Sequence, residues 1–372
     1  MAPLRIGINA LYLIPGGVGG TEIYLRRLLA ALAELDPVNR YFIFSNREAG
    51  SGLTPERPNF SSVPMSVRAA FRPARIVWEQ TALPLAVARR HIDVLLNPGF
   101  TAPVYCPCAA VTVFHDLQYM RHPEFFSWLD LQAWRALLPL AAWAADIVLA
   151  DSQATAADLR ACYRLPERKL RVVPLGVDAE FFEIAQRRRP QPYLLTVSTL
   201  HPHKNLDGLL RAFAEFRLRN GGYRLIVAGM RGFSADRLER LRGELGLTDA
   251  VEFTGWIARE RLYELYAGAY AFVYPSRFEG FGIPVLEAMA SGIPTACSDI
   301  PPLQELSHGA ALHFHPDDIA GMRDALLQLV EDQALRSELA AAGPRRAARY
   351  SWAATARGTL DALLAAAQGL SG

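Results

Sequence analysis

The 372-residue chain has only four cysteines, Cys106, Cys108, Cys162 and Cys297. They have neither the paired CxxC spacing of a redox or zinc motif nor the density of a disulfide scaffold, so a reducing compartment is the simpler reading. Cys106-Pro107-Cys108 reads as incidental. A long hydrophobic run is also missing: the longest, Ala136 to Ala145, contains Pro139 and is about half of what spans a bilayer. The N-terminal MAPLRIGINALYL lacks the apolar core and small-residue cleavage site of a signal peptide and reads as a first strand. A soluble, cytoplasmic protein follows as the expectation, able to rest on the inner face of a membrane. Charge of one sign is not in excess: 39 Lys+Arg against 37 Asp+Glu gives +2, so no nucleic-acid partner is expected and any basic function must be local. No internal repeat and no low-complexity segment occurs beyond Ala-rich helices.

What is there is a 51% hydrophobic chain, long enough for about two domains with a core each. Short β-branched or aromatic runs alternate with amphipathic stretches, which predicts an α/β fold of parallel sheets covered by crossover helices. The first series places strands at Leu4–Asn9, Tyr41–Ser45, Ile92–Leu96, Ala110–Phe114, Ile147–Ala150 and Leu170–Val173, with helices including Thr21–Leu35 and Gln153–Cys162. The stretch PLGVDAEFFEIAQRRRPQP then shows no sustained period, and strands resume at Tyr193–Ser198, Leu225–Ala228, Ala250–Thr254, Ala271–Tyr274, Thr295–Ser298 and Ala311–Phe314. Domains of 1–180 and 190–349 are therefore expected, with a C-terminal helix over about 350–372 packing on what is already built. Two doubly wound Rossmann-like domains in tandem would face each other across a cleft at the carboxyl ends of their strands.

The chemistry concentrates in loops. In FEGFGIPVLEAMASG, residues 278–292, a strand is followed by Glu279-Gly280-Phe281-Gly282, with Pro284 in the first turn of the next helix and Glu287 further along it. Bare backbone and free N–H groups at a helix N-terminus favour an anion such as a diphosphate. Two carboxylates beside that anion would repel it, so they should reach past it to neutral hydroxyls. A nucleotide sugar has this character. Glu279 and Glu287, separated by seven residues with Gly-Phe-Gly-Ile-Pro among them, resemble the E-x7-E signature of retaining family-four glycosyltransferases, which have the GT-B fold. The resemblance covers most of the chain. It implies that Glu279 contacts the transferred sugar, that Glu287 binds the nucleotide ribose, and that Gly280, Phe281 and Gly282 line the donor diphosphate.

VSTLHPHKNLDGLL, residues 197–210, ends another strand and sets Ser198 and Lys204 before a helix. It is similar to the family's first nucleotide-domain loop, with His203-Lys204 where Arg-Lys is common, so Lys204 is expected on the diphosphate as a point charge. IPGGVGGTE fails as a dinucleotide fingerprint, because Glu22 stands where the third glycine belongs. It resembles instead the family's glycine-rich first loop, where Gly19 and Gly20 approach the donor phosphate or the acceptor; a plain tight turn is the alternative. In VTVFHDLQYMRHPEFF a strand ends at His115 and Asp116. The resemblance implies that His115 lies near the transferred sugar, with Asp116 as its orienter or an acceptor contact. Arg68, Phe71, Arg72 and Arg75, followed by Trp78, Trp128, Trp134 and Trp143, read as a solvated basic loop over a core. The competing reading is a docking surface for a lipid-linked acceptor or an anionic membrane.

The family resemblance implies front-face transfer with retention, in which the leaving diphosphate accepts the acceptor's proton and the protein supplies position and charge. No cofactor is expected beyond the nucleotide-sugar co-substrate. No metal is expected either, since no Asp-x-Asp triplet is present. The His-Asp and HPHKN segments look most like bacterial transferases that add mannose to surface polysaccharide or glycolipid precursors, which favours GDP-mannose over a UDP-hexose. A nucleotide-sugar epimerase of the same architecture and a non-catalytic nucleotide-sugar-binding partner are the readings from other classes.

Overall fold

The computed structural model describes residues 3–17 and 19–369; Val18 of the glycine-rich loop and the last three residues of the expected C-terminal helix lie outside them. The chain forms two compact units, Met1–Gly176 with Ser351–Gly372, and Val177–Tyr350.

The first unit is a seven-stranded, all-parallel sheet: β1 (Arg5–Ala10), β2 (Arg40–Ser45), β3 (Phe60–Pro64), β4 (Val94–Asn97), β5 (Ala109–Phe114), β6 (Ile147–Ala150) and β7 (Leu170–Val172), in the order β3-β2-β1-β4-β5-β6-β7. Both faces are covered, by α1 (Gly20–Leu35), α2 (Arg72–Arg89), α3 (Gln118–Arg121), α4 (Trp128–Ala144) and α5 (Gln153–Tyr163). Central strands such as VLLN and IVLA are therefore buried throughout, and they read as continuous apolar runs rather than alternating ones. The chain reverses direction across the sheet between β1 and β4, the position where open α/β sheets bind ligands. The C-terminal helix Trp352–Ala367 returns to this unit and buries Ala356, Thr359 and Leu363. Gly176 admits it, since a Cβ there would collide with the backbone of Trp352.

The second unit is a six-stranded parallel sheet of β8 (Tyr193–Val197), β9 (Arg224–Ala228), β10 (Val251–Gly255), β11 (Ala271–Tyr274), β12 (Thr295–Ser298) and β13 (Leu312–Phe314), in the order β10-β9-β8-β11-β12-β13. Its helices are α6 (Ala179–Arg187), α7 (Leu206–Arg217), α8 (Ala235–Glu244), α9 (Arg259–Gly268), α10 (Ile283–Ala290), α11 (Pro301–Ser307), α12 (Ile319–Glu331) and α13 (Gln333–Ala347). Here the order reverses between β8 and β11. Leu209, Phe213 and Phe216 of α7 and Met322, Leu326 and Leu329 of α12 fill one core against this sheet.

Three expectations are corrected. The aperiodic stretch after Val173 contains α6, whose Phe181 and Ile184 are buried in the second unit. Edge strand β3 carried no legible signal, because FSSVP buries only Phe60 and Val63 and ends in proline. The stretch from Arg72 is a helix, not an irregular loop: Arg75 is 6% exposed and lies 3.7 Å from Glu79.

Candidate active site

The switch point of the second sheet is built by the loops that leave β8 and β11. Lys204 lies in the first, Glu279 in the second. Lys204 Nζ donates to Glu279 Oε1 at 2.6 Å and to the Tyr274 hydroxyl at 3.1 Å, and it sits over the Tyr274 ring. Both charged side chains are largely buried, at 16% and 11% exposure. Burial works against Lys204's charge, but Glu279 and Tyr274 outweigh it and hold the ammonium above the ordinary lysine range. Burial likewise works against ionised Glu279, and Lys204 outweighs it, holding the carboxyl below its ordinary range. The pair is therefore charged at neutral pH. Such a carboxylate cannot act as a general acid; it can accept sugar hydroxyls or stabilise positive charge on a sugar.

Asn205 fixes this arrangement. It is fully buried and left-handed at φ 54°, a conformation asparagine tolerates better than most residues. Its Nδ2 donates to Pro275 O at 3.1 Å and Pro316 O at 2.6 Å, tying the loops after β11 and β13 to the one after β8. Ser276 Oγ lies 2.9 Å from Phe278 O and 3.2 Å from His203 O, and Arg277 N donates to His203 O at 2.8 Å. Ser198, at the end of β8, is buried, and its Oγ has no hydrogen-bond partner among the described residues. An unpaired buried hydroxyl on this edge fits a polar ligand.

Gly282 is the N-cap of α10 at φ 109°, and Pro284 occupies the first turn. A Cβ on Gly282 would strike Leu303, so glycine is required there by packing as well as by backbone conformation. The Phe281 side chain does not line a ligand surface: it is buried, edge-on to Tyr350 with centroids 5.7 Å apart. Glu287 is 5% exposed and accepts a 2.8 Å hydrogen bond from Tyr266.

In the first unit, His115 lies just beyond β5. Its Nδ1 is 2.7 Å from Asp151 Oδ2 and its Nε2 3.1 Å from Pro98 O. A carbonyl only accepts, so Nε2 carries a hydrogen; an ionised carboxylate only accepts, so Nδ1 carries one too. Both partners therefore favour the imidazolium form. Burial opposes that charge, but Asp151, reinforced by Pro98 O and Asp116, holds the pKa above the ordinary histidine value. Tyr24 and Phe100 pack edge-on against the ring. The expected orienter is corrected: Asp151 at the end of β6 hydrogen-bonds His115, while Asp116 Oδ1 accepts from Gln118 N at 2.9 Å. Gly19 caps α1 at φ 58°, ψ −127°, and Cβ atoms on Gly19 or Gly20 would meet only open space. The positive φ accounts for Gly19, and no packing constraint accounts for Gly20.

Comparison with known proteins places this architecture. The profile described as Glycosyltransferase Family 4 matches residues 18–181, and that described as Glycosyl transferases group 1 matches 177–346. An O-antigen chain mannosyltransferase B from Escherichia coli is 31% identical over 268 residues, 68% of this chain and 69% of that one. The chain belongs to the family-four glycosyltransferases. An O-antigen chain mannosyltransferase RfbU from Salmonella typhimurium is 32% identical over 212 residues, 57% of this transferase and 58% of its relative. Among solved structures, a sucrose-phosphate synthase from Thermosynechococcus elongatus superposes with a TM-score of 0.78 at 21% identity, covering 98% of this chain and 100% of that one. Anabaena HepE in complex with UDP and glucose superposes at 0.74 and 19% identity, covering 97% and 99%. The two parallel-sheet units of the transferase are those of the GT-B fold.

Sequence reasoning missed Tyr274, Asn205, Asp151 and Tyr266. Asp151 had a signal, as the first charged residue after the apolar strand IVLA. Asn205 had a weaker one, as the asparagine before a helix. Tyr266 had none, because only packing brings α9 to Glu287.

Proposed function

We propose that the transferase moves mannose from GDP-mannose to a glycan or lipid-linked acceptor in bacterial surface polysaccharide or glycolipid synthesis, with retention of configuration and without a metal. The observation that carries the donor-site reading is the buried Lys204–Glu279 pair at the switch point of the second sheet, beside the N-terminus of α10. Mannose is favoured by the two O-antigen chain mannosyltransferases among its relatives.

A donor diphosphate here would draw Lys204 partly away from Glu279 and take hydrogen bonds from the Gly280–Gly282 backbone. The charge that develops as the glycosidic oxygen departs then falls on groups already oriented. The freed side of Glu279, still ionised, faces a sugar that becomes cationic as that bond breaks. Glu287 is assigned to the ribose, and Ser198 Oγ to a polar group of the nucleotide. In the first unit, Gly20 offers bare backbone to a phosphate or acceptor, and His115, whose charged form Asp151 favours, would supply positive charge. No general base is required, because the leaving diphosphate takes the acceptor's proton.

Contact with an anionic membrane is part of this reading, and α4 supports it. Trp128, Leu129, Leu140 and Trp143 are exposed along that helix. Phe71 and Arg72 at the start of α2 adjoin it, because Arg72 Nη1 meets Asp130 Oδ1 at 2.6 Å. No helix among the described residues is long and apolar enough to cross a membrane, so the contact would be peripheral.

The test is calorimetric titration with GDP, UDP and dTDP, repeated on Glu287→Ala. Preferential binding of GDP, weakened about 10- to 100-fold by loss of a charged hydrogen-bond partner, is expected. Preference for UDP would remove the mannose reading, and undiminished binding by the variant would remove the ribose role. The anomeric configuration of the product, read by NMR, tests retention separately.

A further inference from the structure

The loop between β4 and β5 contains a thiol pair for which the transfer reaction has no use. Cys106 and Cys108 flank exposed Pro107 immediately before β5, and their sulfurs lie 3.3 Å apart. Both are half-buried against the cluster that includes Phe44, Val63 and Leu95, while neighbouring Tyr105 is exposed. The pair therefore sits in a loop with an exposed Pro107 between two partly exposed cysteines. An S–S bond is about 2.05 Å long, so each sulfur has only about 0.6 Å to travel. A tetrahedral zinc ion would instead hold two thiolates about 3.8 Å apart, and no group of three metal-ligating side chains occurs among the described residues. The spacing suits bond closure better than metal binding.

The two sulfurs are also chemically unequal. The hydrogen bond with Cys108 holds the Cys106 thiol below its ordinary range, against the opposing effect of burial. The same contact, with burial, pushes Cys108 up. That direction favours Cys106 as the attacking thiolate and Cys108 as the resolving thiol.

We propose that Cys106 and Cys108 form a reversible dithiol–disulfide site that reacts with a small disulfide such as oxidised glutathione. Cys106 thiolate attacks one sulfur of the oxidant, forming a mixed disulfide and expelling one glutathione thiolate. Cys108 loses its proton to solvent, attacks Cys106 Sγ, closes the Cys106–Cys108 bond and expels the second glutathione thiolate. The two protein thiols give up two electrons and two protons, and one oxidised glutathione becomes two reduced ones. The bond would stiffen the end of a loop whose other contacts matter to the unit: Thr101 Oγ1 donates to Glu79 Oε2 at 3.0 Å, Val104 N to Gln80 Oε1 at 2.9 Å, and Pro98 O accepts from His115.

The experiment equilibrates the full chain with reduced and oxidised glutathione at graded ratios, quenches in acid, unfolds, alkylates with N-ethylmaleimide and reads masses. Alkylatable thiols are expected to fall from four to two, with loss of two hydrogens, a bridge mapped between Cys106 and Cys108, and full recovery in dithiothreitol. Cys108→Ser is expected to retain one glutathione on Cys106, while Cys106→Ser keeps its remaining thiols free over the same range. The proposal is overturned if the wild type keeps four alkylatable thiols at the most oxidising ratio. It is equally overturned by stable glutathionylation of Cys106 without closure, or by thiol loss confined to Cys162. The mapping is made on wild-type protein, so it holds whether or not either variant folds, and it does not depend on the donor.

Discussion

Replacing Lys204 with methionine removes one member of a buried ion pair and leaves Glu279 ionised, desolvated and without its principal partner. Breaking such a pair from one side costs about 3–5 kcal/mol, whereas replacing both members with apolar groups of similar volume is often near neutral. In a domain of this size that corresponds to a drop in Tm of about 6 to 20 °C for Lys204→Met. Most of the loss should be recovered in the double variant Lys204→Met/Glu279→Leu. The chain has two units, so the readout must be local: hydrogen exchange by mass spectrometry over residues 177–350, in parallel with calorimetry. The pH dependence has a definite sign. Glu279's pKa is lowered from 4.5, so its contribution is present above that value and is lost as pH falls through the lower folded one. Lys204's pKa is raised from 10.5, so its contribution is present below that value and is lost as pH rises through the higher folded one. The wild-type pair's contribution should therefore be flat from about pH 5 to 10, whereas in Lys204→Met the unpaired, buried Glu279 can protonate, so the difference between the two proteins should shrink as pH falls. A cost below about 1 kcal/mol, or a double variant no more stable than the single one, would refute the ion-pair argument. The same substitution should weaken nucleoside diphosphate binding by about 10- to 150-fold, the equivalent of one charged hydrogen bond.

His115→Asn should abolish a pH-dependent part of the first unit's stability. With its folded pKa raised above 6.5, wild-type His115 contributes stability fully present below pH 6.5 and lost as pH rises through the folded value; NMR of the ring carbons reads the pKa directly, and a neutral ring at pH 6 would contradict the imidazolium assignment. Asn205→Gly keeps the left-handed backbone but loses both loop ties, at about 1–3 kcal/mol. Asn205→Ala adds conformational strain and should be less stable than the glycine variant in urea. Gly282→Ala, at φ 109° and against Leu303, should cost about 1–3 kcal/mol from backbone strain alone and weaken nucleotide binding in the same titration. Truncation after Tyr350 uncovers α1 and removes buried Leu363, itself worth about 1.5–3 kcal/mol. Faster hydrogen exchange throughout residues 3–176 is expected, and unchanged exchange would mean the helix is dispensable.

The sequence by itself determined the fold class, twelve of the thirteen strands, and the loops that carry the chemistry. Ile147–Ala150, Ala271–Tyr274 and Thr295–Ser298 match to the residue, because strands covered on both faces must be apolar from end to end. Glycine and proline likewise announced the start of α10, since few residues can take the backbone conformation at Gly282. Where burial is one-sided the signal faded: β3, an edge strand, and α6, short and rich in charge, were not legible. Tertiary structure alone decided the partners. Lys204 and Glu279 are 75 residues apart, and they meet because the sheet order brings β8 beside β11. His115 is held by Asp151 rather than by its neighbour Asp116, because β5 pairs with β6 in register and the two residues emerge side by side at the sheet's carboxyl edge. Local patterns report which side chains a strand or helix must bury; which charges then face each other depends on the order of strands in the sheet, and that order is not written in any one segment.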